Sequence, residues 1–327
     1  MLTQAQATLL YNGARKWFML SSLGLLPVLL VIDAPFGRFT PSGDSLFLVD
    51  GIKSWMAMEL VSPILFIYTF VKSPLSYFTP DLPLLLSPQG LLFGLYLIHY
   101  LNRAIFSPLR TPSRSKSHII VPLAAVFFNA INGSLMGAYL SSPYARIFLP
   151  LDFTLAPPSF YIGLILWGLG FAGNILHDEI LLDIRRKAKS KGKGKASSEP
   201  GERVQEHYAI PQGWLYSYVS YPNYLCEWIE WFGFALAAAP FPLDISTLSW
   251  EFLSPAAVAS VFSWPSLMSL LSNPAYLFAP NLAPPYIFLL SEVLLMLPRA
   301  IRGHQWYRQK FGEQYPKDRK AVVPFLL

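Results

Sequence analysis

Three polar side chains share one face of an otherwise apolar stretch in the C-terminal half. Asn223, Glu227 and Glu230 stand four and three positions apart within SYPNYLCEWIEWFGF, residues 220–234. At roughly 100° per residue, these spacings place all three on one side of a helix. An amide donates and accepts hydrogen bonds and a carboxylate accepts them. The stripe therefore predicts a helix face that binds a polar ligand group in apolar surroundings.

Two further segments place ionisable groups inside apolar runs. Glu59 interrupts MAMELVSP, and LIHYLNR contains His99, Tyr100 and Arg103. An unpaired polar group away from water costs several kcal/mol, so such residues are functional candidates. We expect Glu59 to be neutral or hydrogen-bonded. The phenol of Tyr100 can donate a hydrogen bond to a ligand oxygen.

The composition indicates what surrounds these residues. The 327-residue chain is 53% hydrophobic and 13% charged, whereas soluble domains average roughly 25% charged residues. This composition indicates an integral membrane protein. The net charge of +6 does not indicate nucleic-acid binding, because the basic residues collect in short polar segments between apolar runs. The single cysteine, Cys226, excludes an internal disulfide.

Seven apolar segments approach the roughly 20 residues that a membrane helix needs. The sequence therefore predicts an all-α, multi-pass integral membrane protein with seven transmembrane helices, arranged as a single membrane domain over residues 1–327. The first apolar segment is not followed by a signal-peptide cleavage site and a soluble domain. We therefore expect this segment to be retained rather than removed as a signal peptide. The predicted spans are 17–32, 55–71, 84–106, 119–140, 160–182, 215–239 and 284–297.

Basic residues in the connecting segments set the predicted orientation. They follow the third span (103–116), the fifth (185–195) and the seventh (299–320). With seven spans these clusters lie on one side, which is then the cytosol and includes the C-terminus. The N-terminus is predicted to be lumenal, although Arg15 and Lys16 oppose that assignment.

Two segments allow more than one interpretation. Residues 252–271 are apolar enough for an eighth span, but Pro255 and Pro265 interrupt them, so we expect a re-entrant or surface-lying segment. Residues 187–203, KAKSKGKGKASSEPGER, are rich in Lys, Gly and Ser. This composition predicts a mobile cytosolic loop, with contact to anionic lipids as the alternative.

The hexapeptide GLGFAG, residues 168–173, matches the G-x-G-x-x-G pattern of dinucleotide-binding folds. Its context argues against that interpretation. Such a site needs a preceding strand and an acidic residue about 20 positions later, whereas these glycines lie inside an apolar span that leads into the Lys/Gly-rich segment. We interpret them as sites of close helix packing, with close approach of the backbone to a ligand as the alternative.

The C-terminal half carries long, ordered motifs. They are NILHDEILLDIRR (174–186), IPQG with the PNYLCEWIEW run (210–231), and RAIRGHQWYRQKFGEQYPKDRKAVVPFLL (299–327). In this order they resemble the steroid 5α-reductase family, the 3-oxo-5α-steroid 4-dehydrogenases. The resemblance is strongest over 166–231 and 298–327, and the N-terminal half matches more weakly through MEL and HYLNR. It implies a seven-helix reductase of the endoplasmic reticulum membrane that uses NADPH to saturate an activated carbon–carbon double bond in a lipid.

The same resemblance assigns site residues by their positions in the motifs. Glu59 and Tyr100 match the catalytic pair on the second and third helices. Residues 1–158 then supply the substrate groups, and 159–327 form the NADPH-binding region; no metal is implied. The resemblance leads us to expect cofactor contacts, including phosphate partners among the arginines, from Asn174, Asp178, Arg185, Tyr208, Asn223, Glu227, Arg299, Arg302 and Tyr307.

The chain departs from the family pattern at several positions. Met58 stands where a glutamine often precedes the catalytic glutamate, which affects a substrate contact. Leu182 stands where an arginine is expected, which affects a phosphate contact. Cys226 takes the position of a small residue before the cofactor glutamate, and segment 240–283 is longer than the family pattern.

The chemistry that the resemblance implies needs a donor at one oxygen. Hydride delivered to the β carbon of a conjugated carbonyl builds negative charge on the carbonyl oxygen, so a preorganised donor there lowers the barrier. We expect Tyr100 to be that donor, with Glu59 orienting its hydroxyl or, if protonated, binding the oxygen itself. Glu230 either joins the nicotinamide network or pairs with a basic residue such as Arg299. The residues leave open the α-carbon proton source and the oligomeric state.

A Δ4-3-oxo steroid is the predicted substrate, and a polyprenal-type aldehyde meets the same requirement for a conjugated carbonyl. A polyprenol-pathway reductase is therefore one alternative. An enoyl-CoA reductase is another, although by resemblance it carries an extra soluble N-terminal module, whereas an apolar span begins here by Trp17. A transporter or lipid scaffold would also have seven spans and buried polar residues, and NADPH binding distinguishes it. Isoprenylcysteine methyltransferases resemble the fold only loosely.

The predicted partners are a steroid or isoprenoid lipid and the bilayer, with no nucleic acid.

Overall fold

The computed structural model describes residues 3–40, 45–76, 86–193, 208–243 and 263–327, together with Ser254 and Ser260. Over these residues the chain is almost entirely helical, and its only strands form one antiparallel pair, β1 (Leu48–Val49) with β2 (Ser117–His118). The seven longest helices in the described residues are α1 (Gln4–Val31), α2 (Gly51–Lys72), α3 (Pro88–Leu101), α4 (Ile120–Leu140), α5 (Pro158–Lys193), α6 (Pro222–Ala238) and α7 (Pro284–Phe311).

These seven helices lie at the positions of the seven predicted spans. Five of them, α1, α2, α4, α5 and α7, are long and apolar enough to cross a membrane. Helix α6 has 17 residues, which is about 26 Å at 1.5 Å per residue. Helix α3 has 14 residues and continues through a π-helical turn, Asn102–Phe106, into the short helix Ser107–Arg110. The helical membrane class is therefore confirmed, and the count of seven spans stays a prediction.

Capping residues explain where several helices begin. Thr3 and Gln6 form a capping box at the start of α1, so this helix begins well before the predicted position 17. The Asp50 carboxylate accepts two backbone N–H groups of the first turn of α2, at 2.9 and 2.8 Å. Helices α6 and α7 begin at Pro222 and Pro284, where a fixed φ and a missing N–H suit a first turn.

A buried aromatic core joins α2, α3, α6 and α7. The rings of Phe66 and Tyr96 stack with centroids 4.0 Å apart. Trp231, which is 1% exposed, lies edge-on to Phe288 at 4.7 Å and to His99 at 4.6 Å. Aromatic side chains bury large areas and prefer such tilted geometries. These rings therefore hold the helices in the order that brings the polar residues of the site together.

Helices α5 and α6 pack closely because glycines remove side chains from the contact. A Cβ atom on Gly170 would lie 2.6 Å from the Cys226 carbonyl oxygen, and one on Gly173 would lie 2.7 Å from the Cys226 Sγ atom. Gly168 faces open space. The packing interpretation of GLGFAG is confirmed for Gly170 and Gly173.

Arg15 and Lys16 are almost completely buried. Their side chains donate to four carbonyl oxygens in segment 271–282, at 2.7 to 2.8 Å. These contacts fasten the segment that precedes α7 against α1. The two charges are satisfied inside the protein, so they do not belong with the exposed loop charges that set orientation.

The structure corrects the predicted start of the Lys/Gly/Ser-rich loop and limits what the apolar segment 252–271 can be. Helix α5 continues to Lys193, so the loop predicted from residue 187 is wrong for 187–193, where the lysines and Ala188 have high helix propensity. Residues 194–203 lie outside the described residues. Within the predicted segment 252–271, the described part forms the nine-residue helix Trp264–Ser272. At about 14 Å this helix is too short to span a bilayer, and several of its apolar side chains are exposed.

The C-terminal motif holds the segment that enters α6. The Ser220 N–H donates to the Lys320 carbonyl at 2.9 Å, and the hydroxyls of Ser220 and Tyr315 are 2.6 Å apart. The Arg319 guanidinium donates to the carbonyl of Pro211 in the IPQG motif at 3.3 Å. Motifs about 100 residues apart therefore form one structural clamp.

The two glycine environments predict opposite effects of the same substitution. We expect Gly170→Ala to lower the thermal unfolding midpoint, because overpacking costs about 1–3 kcal/mol. We expect Gly168→Ala, two residues away, to keep or raise the midpoint, because alanine is favoured over glycine in helices by roughly 0.5–1 kcal/mol. Scanning fluorimetry in detergent measures both, and equal midpoints for the two variants would contradict the packing assignment.

Candidate active site

A cavity of about 340 Å³ opens at one end of the helix bundle. Its walls come from α2, α5, α6 and α7, from the segment after α3, and from residues 29–39 at the end of α1 and beyond. Clefts of several hundred Å³ are typical of cofactor and small-molecule sites. The structure thus places one ligand-sized cleft where the predicted basic clusters converge.

Arginines dominate the charge of this cavity. Arg114 lies beside Arg103 and Arg185, and burial together with these two cations lowers the pKa of the Arg114 guanidinium. Cations held this close repel one another unless an anion lies among them. Guanidinium groups match phosphate oxygens geometrically, so the lining favours a phosphate-bearing ligand. The cavity is lined by Arg38, Arg103, Arg114, Arg185, Arg299 and Arg302, against two acids, Asp33 and Asp178.

Three buried polar atoms of cavity residues have no hydrogen-bond partner in the described part of the chain. They are Nη1 of Arg38, Nη1 of Arg299 and Oδ1 of Asn223. An unpaired buried donor or acceptor costs about 1–3 kcal/mol. A ligand that carries both anionic oxygens and an amide N–H pairs all three atoms.

Arg38 reaches the cavity from the short connection between α1 and β1. Its guanidinium carbon lies 4.5 Å from the ring centroids of both Trp306 and Tyr307, and 5.4 Å from that of Tyr208. Aromatic faces stabilise a guanidinium by cation–π attraction. The contacts fix this connection against the C-terminal half of α7, so the connection forms the outer wall of the cavity.

At its inner end, the cavity meets a buried cation that joins two acids. Arg103 Nε lies 3.5 Å from Oε1 of Glu59, and Arg103 Nη2 lies 3.4 Å from Oε1 of Glu227. Arg103 belongs to the π-helical turn after α3, and such turns occur frequently at functional sites. Glutamates from α2 and α6 therefore share one guanidinium between the cavity and the aromatic core.

The predicted polar stripe on α6 is matched by one on α5. The Asn174 amide donates to the backbone carbonyl of Asn223 at 3.0 Å and to Glu227 Oε2 at 3.3 Å. The side-chain amide of Asn223 donates to Asp178 Oδ1 at 3.0 Å. This ladder brings Asn174, Asp178, Asn223 and Glu227 together. It also leaves the side-chain oxygen of Asn223, Oδ1, free to accept from a ligand.

Amides of α4 orient the Tyr100 hydroxyl. Asn132 Nδ2 donates to this oxygen at 3.1 Å, and the hydroxyl donates to Asn129 Oδ1 at 3.5 Å. Asn129 also donates to the Met58 carbonyl at 2.9 Å, which ties α4 to α2. Over the described residues, Glu59 pairs with Arg103, and no hydrogen bond joins Glu59 to Tyr100. The expected orienting role of Glu59 is therefore taken by the two asparagines.

Glu230 pairs with a histidine. Its Oε1 atom lies 2.7 Å from His99 Nδ1, and the residue is completely buried. Arg299 instead lies 3.5 Å from the ring centroid of Phe36 and donates to the Phe36 carbonyl at 3.4 Å. The structural pair of Glu230 with a basic residue is therefore present, with His99 rather than Arg299 as the partner.

The nine predicted cofactor residues lie at three places in the site: the inner wall, the outer wall and the cavity lining. Asn174 and Glu227 form the inner wall behind Asn223. Tyr208 contacts Trp306 and Arg38 at the outer wall. Arg302 Nη2 donates to Asp33 Oδ2 at 2.7 Å, which occupies part of its guanidinium. The six that line the cavity are Asp178, Arg185, Asn223, Arg299, Arg302 and Tyr307.

Sequence reasoning missed several residues of the site. Arg114 served only as an orientation marker, and Arg103, one helical turn after Tyr100, was a candidate to which no role was given. The pair of amides in FFNAINGS, three positions apart within the fourth span, was a polar stripe of the same kind as that on α6. Glu292 in LLSEVLL was an isolated acid in the seventh span. Leu182, at the position where an arginine was expected, does line the cavity.

Comparisons with known proteins give the family. The family model for 3-oxo-5-alpha-steroid 4-dehydrogenase matches residues 115–264 and 269–327. The chain is 35% identical to uncharacterized protein C9.08c of Schizosaccharomyces pombe, over 97% of this chain and 99% of that one. It is 33% identical to steroid 5-alpha-reductase DET2 of Solanum lycopersicum, over 90% and 88%, and 29% identical to 3-oxo-5-alpha-steroid 4-dehydrogenase 1 of Rattus norvegicus, over 90% and 87%. The chain therefore belongs to the 3-oxo-5-alpha-steroid 4-dehydrogenase family of oxidoreductases, which act on CH–CH groups.

Proposed function

We propose that the protein is an NADPH-dependent reductase that saturates a carbon–carbon double bond conjugated to a carbonyl, with a Δ4-3-oxo steroid as its substrate. The observation that carries the proposal is the position of Arg103. On one side of this residue lies a cationic cavity suited to a dinucleotide. On the other side lie Glu59 and Tyr100, the residues suited to a carbonyl oxygen.

The cavity fits NADPH through the groups that lack partners. Arg38 and Arg299 present unpaired N–H groups to phosphate oxygens, and the unpaired Asn223 oxygen suits the N–H of the nicotinamide carboxamide. Bound NADPH supplies the hydride. Arg114 and Arg185, held together at the same wall, provide further charge for the phosphates. The protein thereby orients a charged cofactor in a cavity that opens at one end of the helix bundle.

Tyr100 is suited to stabilise the oxyanion. The Asn132 amide donates to the phenolic oxygen, so the phenolic proton points away from Asn132. Its contact with Asn129 is long, at 3.5 Å, and a substrate oxygen can replace it at small cost. A donor held in place before the reaction stabilises the developing charge without reorganisation. Glu59 completes the catalytic pair and keeps Arg103 in place.

The location we propose is the endoplasmic reticulum membrane, with seven spans, a cytosolic C-terminus and a lumenal N-terminus. Support comes from the convergence of the basic clusters. Arg103 and Arg114 after α3, Arg185 near the end of α5, and Arg299 and Arg302 on α7 all line one cavity. The position of all three clusters on one face agrees with seven spans, an odd number that puts the two termini on opposite sides of the membrane. If that face is cytosolic, NADPH can reach the cavity.

Substitution of the proposed catalytic pair is expected to impair turnover rather than cofactor binding. Tyr100→Phe removes the oxyanion donor and is expected to lower kcat by roughly 100-fold or more, and Glu59→Gln is expected to lower it strongly. The dissociation constant of NADPH, measured by fluorescence titration, stays nearly unchanged because neither side chain faces the cofactor. Tyr144→Phe, at an exposed tyrosine, is the matched control. Loss of NADPH binding with intact turnover would reverse the assigned roles.

Substitution of the α6 stripe is expected to give the opposite result. Asn223→Ala removes the unpaired acceptor, and Glu227→Ala removes the partner of both Arg103 and Asn174. Each is expected to weaken NADPH binding by about 10-fold or more, since a hydrogen bond to a charged or buried partner contributes about 1.5–3 kcal/mol. Equilibrium titration measures the change, and Asn273→Ala, outside the cavity, serves as the control. An unchanged NADPH affinity in both variants would remove this face from the cofactor site.

The substrate class is tested by competition. With NADPH deuterated at the transferred position, an equal mixture of a Δ4-3-oxo steroid and an α,β-unsaturated isoprenoid aldehyde is expected to give label mainly at steroid C5. Mass spectrometry of the extracted lipids measures the partition. Label found only in the isoprenoid would reject the steroid as substrate while preserving the reductase mechanism. Absence of label from both would reject the reductase proposal.

A further inference from the structure

A cluster of four glutamates lies beneath the cavity, where α2, α6 and α7 meet; Glu59, Glu227 and Glu230 are buried and Glu292 is partly buried. Glu59 and Glu227 share Arg103, and Glu230 pairs with His99. The fourth acid is Glu292 of α7, which is close enough to interact electrostatically with Glu59, Glu227, Glu230 and Arg103. Four ionised glutamates against one arginine and one charged histidine would leave two surplus negative charges away from water. Such a surplus is strongly unfavourable, so the cluster must retain protons.

Glu292 is the acid best suited to retain one. Its Oε2 atom is buried and has no hydrogen-bond partner among the described residues. The cations nearest to the cluster already pair with other carboxylates: Arg103 with Glu59 and Glu227, and His99 with Glu230. An isolated carboxylate in an apolar helix takes up a proton rather than remain charged.

The position of Glu292 connects the cavity with the proposed oxyanion donor. Leu295, Met296 and Arg299 line the cavity, and they follow Glu292 by three, four and seven positions, so all four share one face of α7. Glu292 thus extends the cavity-lining face one turn deeper. At that depth its carboxyl interacts electrostatically with Tyr100.

We propose that Glu292 holds a proton in the resting site and delivers it to the substrate carbon next to the carbonyl. This inference rests on the proposed function. The β carbon receives hydride from the reduced nicotinamide, and the π electrons move to the carbonyl oxygen held by Tyr100. The O–H bond of Glu292 then breaks as the C–H bond forms at the α carbon, and the carbonyl is restored. The resulting Glu292 carboxylate regains its proton from water.

The other acidic groups have competing tasks. Glu59 and Glu227 would have to leave Arg103 to accept a proton, and Glu230 would have to leave His99. Tyr100 is engaged at the oxygen, where loss of its proton would remove the stabilising hydrogen bond. Glu292 alone among these groups can carry a proton without the loss of an ion pair seen in the described residues.

The protonation state is tested on the cofactor-free protein by infrared spectroscopy. Wild type is expected to show carbonyl stretching bands of protonated carboxylic acids, shifted in heavy water, and Glu292→Gln is expected to lose one of them. Glu179→Gln is the matched control, because Glu179 lies in a partly exposed ion-pair network with Arg110 and Arg186. A band that persists in Glu292→Gln and disappears in Glu230→Gln would overturn the assignment.

The proton-transfer role is tested by single turnover with NADPH and the steroid enone. Glu292→Gln is expected to slow product formation by about 100-fold or more with unchanged NADPH affinity, and Glu292→Asp is expected to recover part of the rate, with the Glu179→Gln control at the wild-type rate. Full turnover by a folded Glu292→Gln variant would overturn this proposal and leave the proposed function standing. If wild type itself transfers no hydride, the proposed function fails instead. If Glu292→Gln does not fold, Glu292→Asp is measured in its place. A Glu292→Asp variant that loses the protonated-acid band and keeps the wild-type rate of product formation would equally overturn the inference.

Discussion

The sharing of Arg103 by Glu59 and Glu227 is the contact on which the site depends. It joins α2, the turn after α3, and α6, so it sets the distance between the cavity and Tyr100. Glu59 and Glu227 are buried and Arg103 is partly buried, so loss of Arg103 would leave two carboxylates with little water to solvate them, which is destabilising. The guanidinium therefore couples the two halves of the chain: neither glutamate can move without exposing an unpaired charge to the aromatic core.

The same constraint, that charge away from water must find a partner, organises the rest of the molecule. Arg38 and Arg299 lie against aromatic rings and backbone carbonyls rather than carboxylates. Arg15 and Lys16 are satisfied by carbonyl oxygens at the opposite end of α7. Partners of this kind position a cation without neutralising it. Arg38 and Arg299 thus keep their charge available for an anion, while the acids beneath the cavity outnumber their cations.

Much of the fold could be predicted from the sequence because helical periodicity is local. The seven apolar segments each contain a helix, and the spacing of Asn223 and Glu227 correctly predicted that they share one helix face. That this face meets Asn174 and Asp178 is seen only in the structure. What could not be predicted depends on contacts between helices. The π-helical turn that carries Arg103 toward Glu59, and the pairing of Glu230 with His99, follow from the packing of α3 on α6, which the spacing within one segment does not encode. The extension of α5 to Lys193 was missed because a Lys/Gly-rich composition was interpreted as coil.

The motifs that carry the resemblance cover one end of the molecule better than the other, for a structural reason. The longest motifs lie in α5, α6, α7 and the C-terminal clamp, where Ser220, Tyr315 and Arg319 hold the entry to α6. Tyr100 and Met58 instead depend on α4, whose asparagines hold both the Tyr100 hydroxyl and the Met58 carbonyl. A glutamine at position 58 would add a side-chain amide, whereas here the polar contact comes from the backbone and from α4. Substrate selection in this chain is therefore expected to depend on α4, beyond the reach of the motifs that identify the family.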